Sequence, residues 1–321
     1  MSDHFNGKRY FNPSLARPFS PGLAAAFRMM REPRAKWPAA VANHGVPRLR
    51  EPLAPGDVGL TFVNHATFLI QLPQLTLLTD PMWSERASPI GWLGPKRVRP
   101  PGVHLDDLPP IDVIVLSHNH YDHFDIRTLK ELRRRHAPTV LVAAGDGARI
   151  ASLGFEDVHE LDWWDGVQVR PDVHITFAPA QHASGRGLFD QNRSLWGSYF
   201  IRHGSGSVYF GGDGGYSTHY QAIGRRLGAP DIALLGIGSY LPRWFMQPVH
   251  MDPAEAIVAH KDLGAQRSIG MHFGTFRLSA EGIDQPRLDL AAALEREVGL
   301  ADAFVVLHEG ETRIYRSRPS A

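Results

Sequence analysis

A chain of 321 residues that is 43% hydrophobic and 21% charged is long enough for one large domain or two ordinary ones, and its composition excludes a fibrous or disordered protein. It contains no cysteine, which removes disulfides, thiolate metal sites and cysteine nucleophiles together, so a bound metal must use nitrogen and oxygen ligands, and the 17 histidines suit that role. A net charge of +1 is small for a nucleic-acid enzyme, and no run approaches the roughly 18 consecutive apolar residues of a membrane span.

In chain order, residues 1 to 50 carry Lys8, Arg9, Arg17, Arg28, Arg31, Arg34, Lys36, Arg48 and Arg50 against Asp3 and Glu32, a local charge of +7 that leaves −6 for the rest. Phe5, Tyr10, Phe11, Phe19, Phe27 and Trp37 are interleaved with these cations. Such an arm has two readings, peripheral contact with an anionic membrane surface or an extension wrapped over the domain that follows at residues 51 to 321. The opening "MSDHFNGKRYF" lacks the apolar segment of a secretory signal, and the chain is expected to be cytoplasmic.

From about residue 58 short β-branched and apolar runs recur: "VGLTFV", "ATFLIQL", "LTLLTD", "DVIVLS", "TVLVAA", "VHITFAPA", "WGSYFI", "SVYFGG", "IALLGIG", "RSIGMHF", "AFVVLHE" and "TRIYR". About a dozen strands is too many for one doubly wound sheet. Helical candidates lie between them at 126–135, 145–153, 217–227, 252–263 and 287–298, the fourth opened by Asp252 as cap and Pro253 at the first helical position. Many strands with few helices predict two sheets flanked by helices, a four-layer αββα sandwich of the mixed α/β class. Residues 81 to 102 stay irregular, which predicts a lid or binding loop, with a self-packed surface loop as the alternative.

The densest chemistry is "VLSHNHYDHFD", residues 115 to 125, where three histidines and two aspartates follow an apolar strand directly. His118 and His120 are two apart at a strand end, so they share a side and can grip one metal. Asp122 and His123 fall where the chain turns toward the helix and can face a second ion. Two transition metals need roughly four to six ligands each, so further ligands must come from downstream. Three later strand ends finish in suitable residues: His182 in "FAPAQH", Asp213 in "VYFGGD" and His272 in "SIGMHFG". Any one of these could be an ordinary core or turn residue; together, all at C-terminal ends of apolar strands, they read as the rest of a metal site.

The H-x-H-x-D-H loop followed by His, Asp and His in this order resembles the metallo-β-lactamase fold superfamily. The flanking "LTDP", "GPKR", "LPPIDVIVLSHNHYDH", "ELDWW", "LWGSY", "PRWFM", "HMDPAEA" and "HFGTF" are similar to the N-acyl-phosphatidylethanolamine-hydrolysing phospholipase D family over about residues 60 to 310, with "RYFNP" in the arm. The resemblance implies that His118, His120 and His182 hold a first divalent metal and Asp122, His123 and His272 a second, with Asp213 between them; zinc is expected first, iron or manganese otherwise. It further implies that Asp80 orients a ligand histidine and that His250 lies near substrate, although Asp80 could be a turn residue before Pro81 and His250 a helix-start residue. His65 in "NHATF" has two readings, a support for a ligand or a hydrogen-bonded core histidine, of which the second is expected. Two positions depart from the family: Gly214 stands where Thr is usual, and Ala183 where an aromatic is usual.

These residues predict a dinuclear-metal phosphodiesterase in which a metal-bound hydroxide attacks phosphorus and Asp122, Asp213 and His250 serve catalysis. The expected substrate is a phospholipid, N-acyl-phosphatidylethanolamine, split to phosphatidic acid and an N-acylethanolamine. Trp83 and Trp92 in the irregular loop, and Tyr240, Trp244 and Met246 in "YLPRWFM", are the expected substrate contacts, because apolar groups beside cations suit an amphiphile. The alternatives are the same fold acting on a lactone, a β-lactam or another phosphodiester, and a membrane-surface module with structural metals. Nucleic acid is not expected as a partner, and the oligomeric state is left open.

Overall fold

The computed structural model describes the chain except for residues 1, 18, 20–21, 48–52, 188, 205 and 317–321, so Arg48, Arg50 and the expected boundary at residue 50 lie outside the described residues. Two seven-stranded sheets form the centre. The first has the order β14(Thr312–Tyr315), β1(Val58–Asn64), β2(Thr67–Leu72), β3(Leu75–Thr79), β4(Val113–Leu116), β5(Thr139–Ala143), β6(Val158–Leu161). The second has the order β13(Phe304–Val306), β12(Arg267–Met271), β11(Ile232–Gly236), β10(Gly206–Phe210), β9(Ser198–His203), β8(Val173–Ala178), β7(Gly166–Arg170). Both sheets are mixed: β3 through β6 run parallel, as do β10 through β13, while the remaining pairs are antiparallel.

Strand composition explains the layering. In β4, Val113 and Val115 enter the core between the sheets, while Ile114 and Leu116 enter a second core on the opposite face. In β5, Leu141 and Ala143 take the first face and Val140 and Val142 the second. A strand with two buried faces must be apolar throughout, which is why these read as unbroken hydrophobic runs. Leu129 and Leu132 of α2(Ile126–Arg135) and Ile150 of α3(Gly147–Ala151) close the second core. Against the other sheet pack α4(His219–Leu227), α6(Pro253–Leu263) and α7(Gln285–Leu294), through Ile223, Ile257, Leu263 and Leu290. The expected four-layer sandwich is therefore present.

The expected helix at 252–263 forms with a complete capping box: Asp252 accepts from the Glu255 backbone, and the Glu255 side chain accepts from the Asp252 backbone. Among the described residues, five elements were not anticipated: β6, β7, α1(Leu23–Arg31), a single 3-10 turn at Leu105–Asp107 and the short α5(Arg243–Met246). The strands β6 and β7 are sheet edges with partly exposed residues, so "VHEL" and "GVQVR" carry no hydrophobic run to read.

The N-terminal arm lies on the sandwich. His4 bonds to Asp162 and stacks on Trp163 at 3.8 Å, Asn12 bonds to the backbone of His182, and Trp37 donates to the carbonyl of Glu281. Among the described residues, no helix is long and apolar enough to cross a membrane.

Candidate functional site

The site assembles where strands end. Asp80 follows β3, Ser117 and His118 follow β4, and His272 follows β12 without a spacer, whereas His182 and Asp213 come a few residues after β8 and β10. Parallel pairing of β3 with β4, and of β10 through β12, brings these ends to one edge of the sandwich. The two sheets are stitched there by the Gly197 backbone N–H donating to the Ser117 carbonyl at 3.0 Å. Gly212 makes the approach of Asp213 feasible: its φ is +56°, and a Cβ would fall 2.7 Å from that of Ser117. His65, Asp80 and His272 also have positive φ, at 49°, 33° and 63°, so three non-glycine residues of this edge sit in left-handed backbone.

All seven expected ligands converge. Asp213 Oδ2 lies 3.1 Å from His272 Nε2, 3.2 Å from His123 Nε2, 3.7 Å from His182 Nε2, 3.9 Å from His118 Nε2 and 4.0 Å from His250 Nδ1. His118, His120 and His182 offer ligand atoms within 4.8 Å of one another, and so do Asp122, His123 and His272 together with His65. His65 is the buried, hydrogen-bonded histidine expected, and its bond is to the cluster itself: its Nε2 lies 3.0 Å from Asp122 Oδ2 and its ring centroid 4.0 Å from that of His272. The tight turn between β1 and β2 carries it there, and nothing in its local sequence distinguishes it.

Neighbouring groups set which nitrogen of each ring faces the cluster. Asp80 takes the Ser117 backbone N–H at 2.8 Å and the Ser117 hydroxyl at 2.5 Å, and its Oδ2 lies 2.6 Å from His123 Nδ1. Ser117 Oγ, having donated to Asp80, accepts from His118 Nδ1 at 2.9 Å. The Val249 carbonyl lies 2.9 Å from His182 Nδ1. Each bond occupies one ring nitrogen and leaves Nε2 with a lone pair directed inward, the arrangement a metal ligand requires. His120 differs, because its Nδ1 faces His118 Nε2 at 2.9 Å and His182 Nε2 at 3.3 Å.

The donor set fits divalent cations. Imidazole nitrogens meet face to face, as in the 3.1 Å approach of His272 Nε2 to His123 Nε2, and Asp213 Oδ1 is buried without a hydrogen-bond partner. Protons alone balance this charge only by splitting the histidines. Burial works against charge on His123 and His272, but Asp213 and Asp122 outweigh it and raise both, His272 to about 9. For His118 and His182 burial prevails and holds both well below the ordinary histidine value. Burial would raise Asp122 and Asp213, yet the facing histidines hold both well below the carboxylate range. Two carboxylates that stay ionised among seven imidazoles, in a pocket without thiolates, make a hard and borderline donor set of nitrogen and oxygen.

A pocket of about 740 Å³ opens onto His120, His182 and His250. Its apolar wall is Phe19 and Met29 from the arm with Phe245, Met246 and Val249, and Tyr121, Ala183 and Arg186 also line it. Of the five expected substrate contacts, Met246 is the one that lines this pocket. Trp83 instead packs on the outer core and donates to the Val103 carbonyl at 2.9 Å, because the β3 to β4 connection turns it toward α2. Trp92 stands 77% exposed on the irregular loop. Tyr240 bonds to Asp289 and lines a different surface cleft. Trp244 is 42% exposed, donates to Glu32 and lies under the Arg28 guanidinium. The arm residues Phe19 and Met29 were not expected at the site, and neither was Arg186; they reach it only through the fold.

Comparison with known proteins places this geometry. Residues 76–273 match the family described as beta-lactamase superfamily domain. The chain is 37% identical over 263 residues to N-acyl-phosphatidylethanolamine-hydrolyzing phospholipase D 1 of Caenorhabditis elegans, covering 78% of this chain and 74% of that protein. It is also 37% identical over 227 residues to N-acyl-phosphatidylethanolamine-hydrolyzing phospholipase D, mitochondrial, of Saccharomyces cerevisiae, covering 69% of this chain but only 48% of the yeast protein. In fold it resembles the metallo hydrolase Igni18 of Ignicoccus hospitalis, with a TM-score of 0.62 at 24% identity over 82% of this chain and all of that one.

Proposed function

The chain belongs to the metallo-β-lactamase superfamily and, within it, to the N-acyl-phosphatidylethanolamine-hydrolysing phospholipase D family, and from that membership we propose that it is a hydrolase of phospholipase D type acting on N-acyl-phosphatidylethanolamine. The products are phosphatidic acid and an N-acylethanolamine. The observation that supports this most is the position of Asp213 Oδ2 within 4.0 Å of five imidazoles, two of which, His182 and His250, line a pocket with an apolar wall.

His118, His120 and His182 would hold one divalent cation and Asp122, His123 and His272 a second, with Asp213 shared. When bound, such a pair lowers the pKa of coordinated water toward neutrality and neutralises charge on a phosphodiester. Asp80 keeps the His123 ring turned inward through its 2.6 Å bond, and Ser117 does the same for His118. Asp122 or Asp213 would steer the one proton removed from the attacking water toward His250. To His250, whose Nδ1 is 4.0 Å from Asp213 Oδ2 and which lines the pocket, we assign return of a proton to the leaving oxygen. Phe19, Met29, Phe245, Met246 and Val249 receive acyl chain and exclude bulk water. The bond formed joins water oxygen to phosphorus, and the bond broken joins phosphorus to the ethanolamine oxygen.

The test is turnover of N-acyl-phosphatidylethanolamine in detergent micelles by metal-loaded protein, with products identified by mass spectrometry in heavy-oxygen water. Label in phosphatidic acid and none in the ethanolamide is expected, together with loss of turnover but not of fold in Asp213→Asn. Unlabelled phosphatidic acid, or full turnover by the variant, overturns the reading.

A further inference from the structure

A second cavity of about 540 Å³ adjoins the first, and Tyr121 and Arg186 line both. Its walls come from four separate segments: the irregular loop with Arg86, the first turns of α2 with Arg127 and Lys130, the α3 stretch with Arg149, and the stretch at Arg186. Five cations therefore face two carboxylates, Asp125 and Asp190. Both carboxylates are already engaged. Asp125 accepts from the Ser84 backbone and hydroxyl, the Thr128 hydroxyl and the Arg127 backbone, and Asp190 accepts from the backbones of Arg186 and Gly187.

The cations are mostly unneutralised. Among the described residues, Arg149 alone of the five has a carboxylate within ion-pair distance, Asp146 at 3.2 Å. Arg186 spends one nitrogen on the carbonyls of Asn119 and Phe124, at 2.8 and 2.9 Å, with its guanidinium stacked 4.0 Å from the Tyr121 ring. Arg127 and Lys130 are three apart on α2 and so share a face. Like charges this crowded repel one another and persist where an anion repays the repulsion.

The rim of this cavity identifies the kind of anion. Its lining includes Pro89 and Gly91 on one side and Gly187 and Asp190 on the other. The residues adjoining these in sequence project apolar groups outward: Ile90, Trp92 and Leu93 at 39%, 77% and 54% exposure, and Phe189 at 82%. A soluble anion needs no apolar rim, whereas a lipid headgroup at a bilayer surface presents phosphate beneath and acyl boundary around it.

We propose that this cavity is a headgroup site for a lipid phosphomonoester, phosphatidic acid above all, held between Arg86, Arg127, Lys130, Arg149 and Arg186 while the loop tips rest in the bilayer surface. A phosphomonoester carries close to two negative charges near neutral pH and a phosphodiester one, so an excess of cations selects the monoester. The assignment rests on the phospholipase D reading to the extent that phosphatidic acid is also its product, which would need only to pass Arg186 to move from one cavity to the other.

The experiment is sedimentation of the metal-loaded full chain with phosphatidylcholine vesicles doped with phosphatidic acid or, at equal charge, with phosphatidylglycerol, for the wild type and for Arg127→Ala/Lys130→Ala. Both substitutions fall at exposed positions of a helix, and alanine favours helix. Binding to phosphatidic acid vesicles should exceed binding to phosphatidylglycerol vesicles and should weaken roughly thirtyfold in the double variant, at about fivefold per surface cation. Turnover of micellar substrate by the variant should be unchanged. Equal binding to the two anionic vesicles, or equal binding by variant and wild type, overturns the proposal. So does soluble glycerol phosphate binding as tightly as phosphatidic acid, which would make the ligand a free phosphate ester. The vesicle and glycerol phosphate readouts require no turnover, so a failure of the substrate assignment would leave them intact.

Discussion

Asp80 Oδ2 lies 2.6 Å from His123 Nδ1, and neither side chain is reached by solvent. Burial alone would raise the Asp80 carboxyl, and its bonds to His123 and Ser117 offset that only in part. The pair is best understood as a fixed support that aims His123 Nε2 at the cluster.

Replacing Asp80 with asparagine preserves its size but weakens that support. Metal affinity in Asp80→Asn should fall about 10- to 100-fold, with turnover recovering when metal is added in excess. Titration of apo-protein with metal, followed by activity at each point, checks this; an activity loss that excess metal does not repair would place the role of Asp80 elsewhere.

Cations bound only by the folded cluster must stabilise the fold. At metal concentrations near 100 times the dissociation constant this amounts to about 3 kcal/mol per ion, several degrees in melting temperature for a chain of this size. Calorimetry with and without chelator, then with metal restored, measures it. Identical melting in both would mean that the cluster does not hold metal.

Ala183 lines the pocket beside His182, and its small side chain leaves room there. Ala183→Trp should narrow the acyl channel and lower kcat/KM about tenfold for long-chain substrate while sparing a short-chain diester. Parallel assays on the two substrates decide; equal loss on both would indicate damage to the metal site instead.

His219 is buried, bonds through Nδ1 to Ser217 at 2.6 Å, and has an Nε2 with no partner. Burial lowers its pKa to about 3. A histidine depressed in the folded state favours folding fully above its unfolded pKa of about 6.5, and that contribution disappears as pH falls toward 3. Between pH 6.5 and pH 5 the chain should lose about 2 kcal/mol through this group, and His219→Leu should flatten the loss. Urea midpoints of both proteins at neutral pH and at pH 5 test it, and parallel slopes would rule His219 out as the cause.

Legibility in the sequence followed burial and local spacing. The strands β4 and β5 have two apolar faces and were plain, while the edge strands β6 and β7 are half exposed and carry no pattern. His118, His120, Asp122 and His123 are spaced by one strand end and one turn, so their common direction was a local matter. His65 was different, because its turn meets Asp122 only after β1 and β2 are paired and stacked. The expected aromatic contacts failed for a similar reason: an irregular loop has no periodicity to say which way Trp83 faces, and packing against α2 turned it to the outer core.

What the amino-acid sequence determined by itself was therefore twelve of the fourteen described strands, the layered class and most of the side chains that meet in the histidine and aspartate cluster, since each depends on hydrophobic periodicity or on spacing over a few residues. Tertiary structure alone decided the inclusion of His65, the apolar wall supplied by Phe19 and Met29, and the meeting of Arg86, Arg127, Lys130, Arg149 and Arg186 around one cavity. Those contacts join segments far apart in the chain, and their geometry is set by how two sheets stack and where connections cross, which no local pattern encodes.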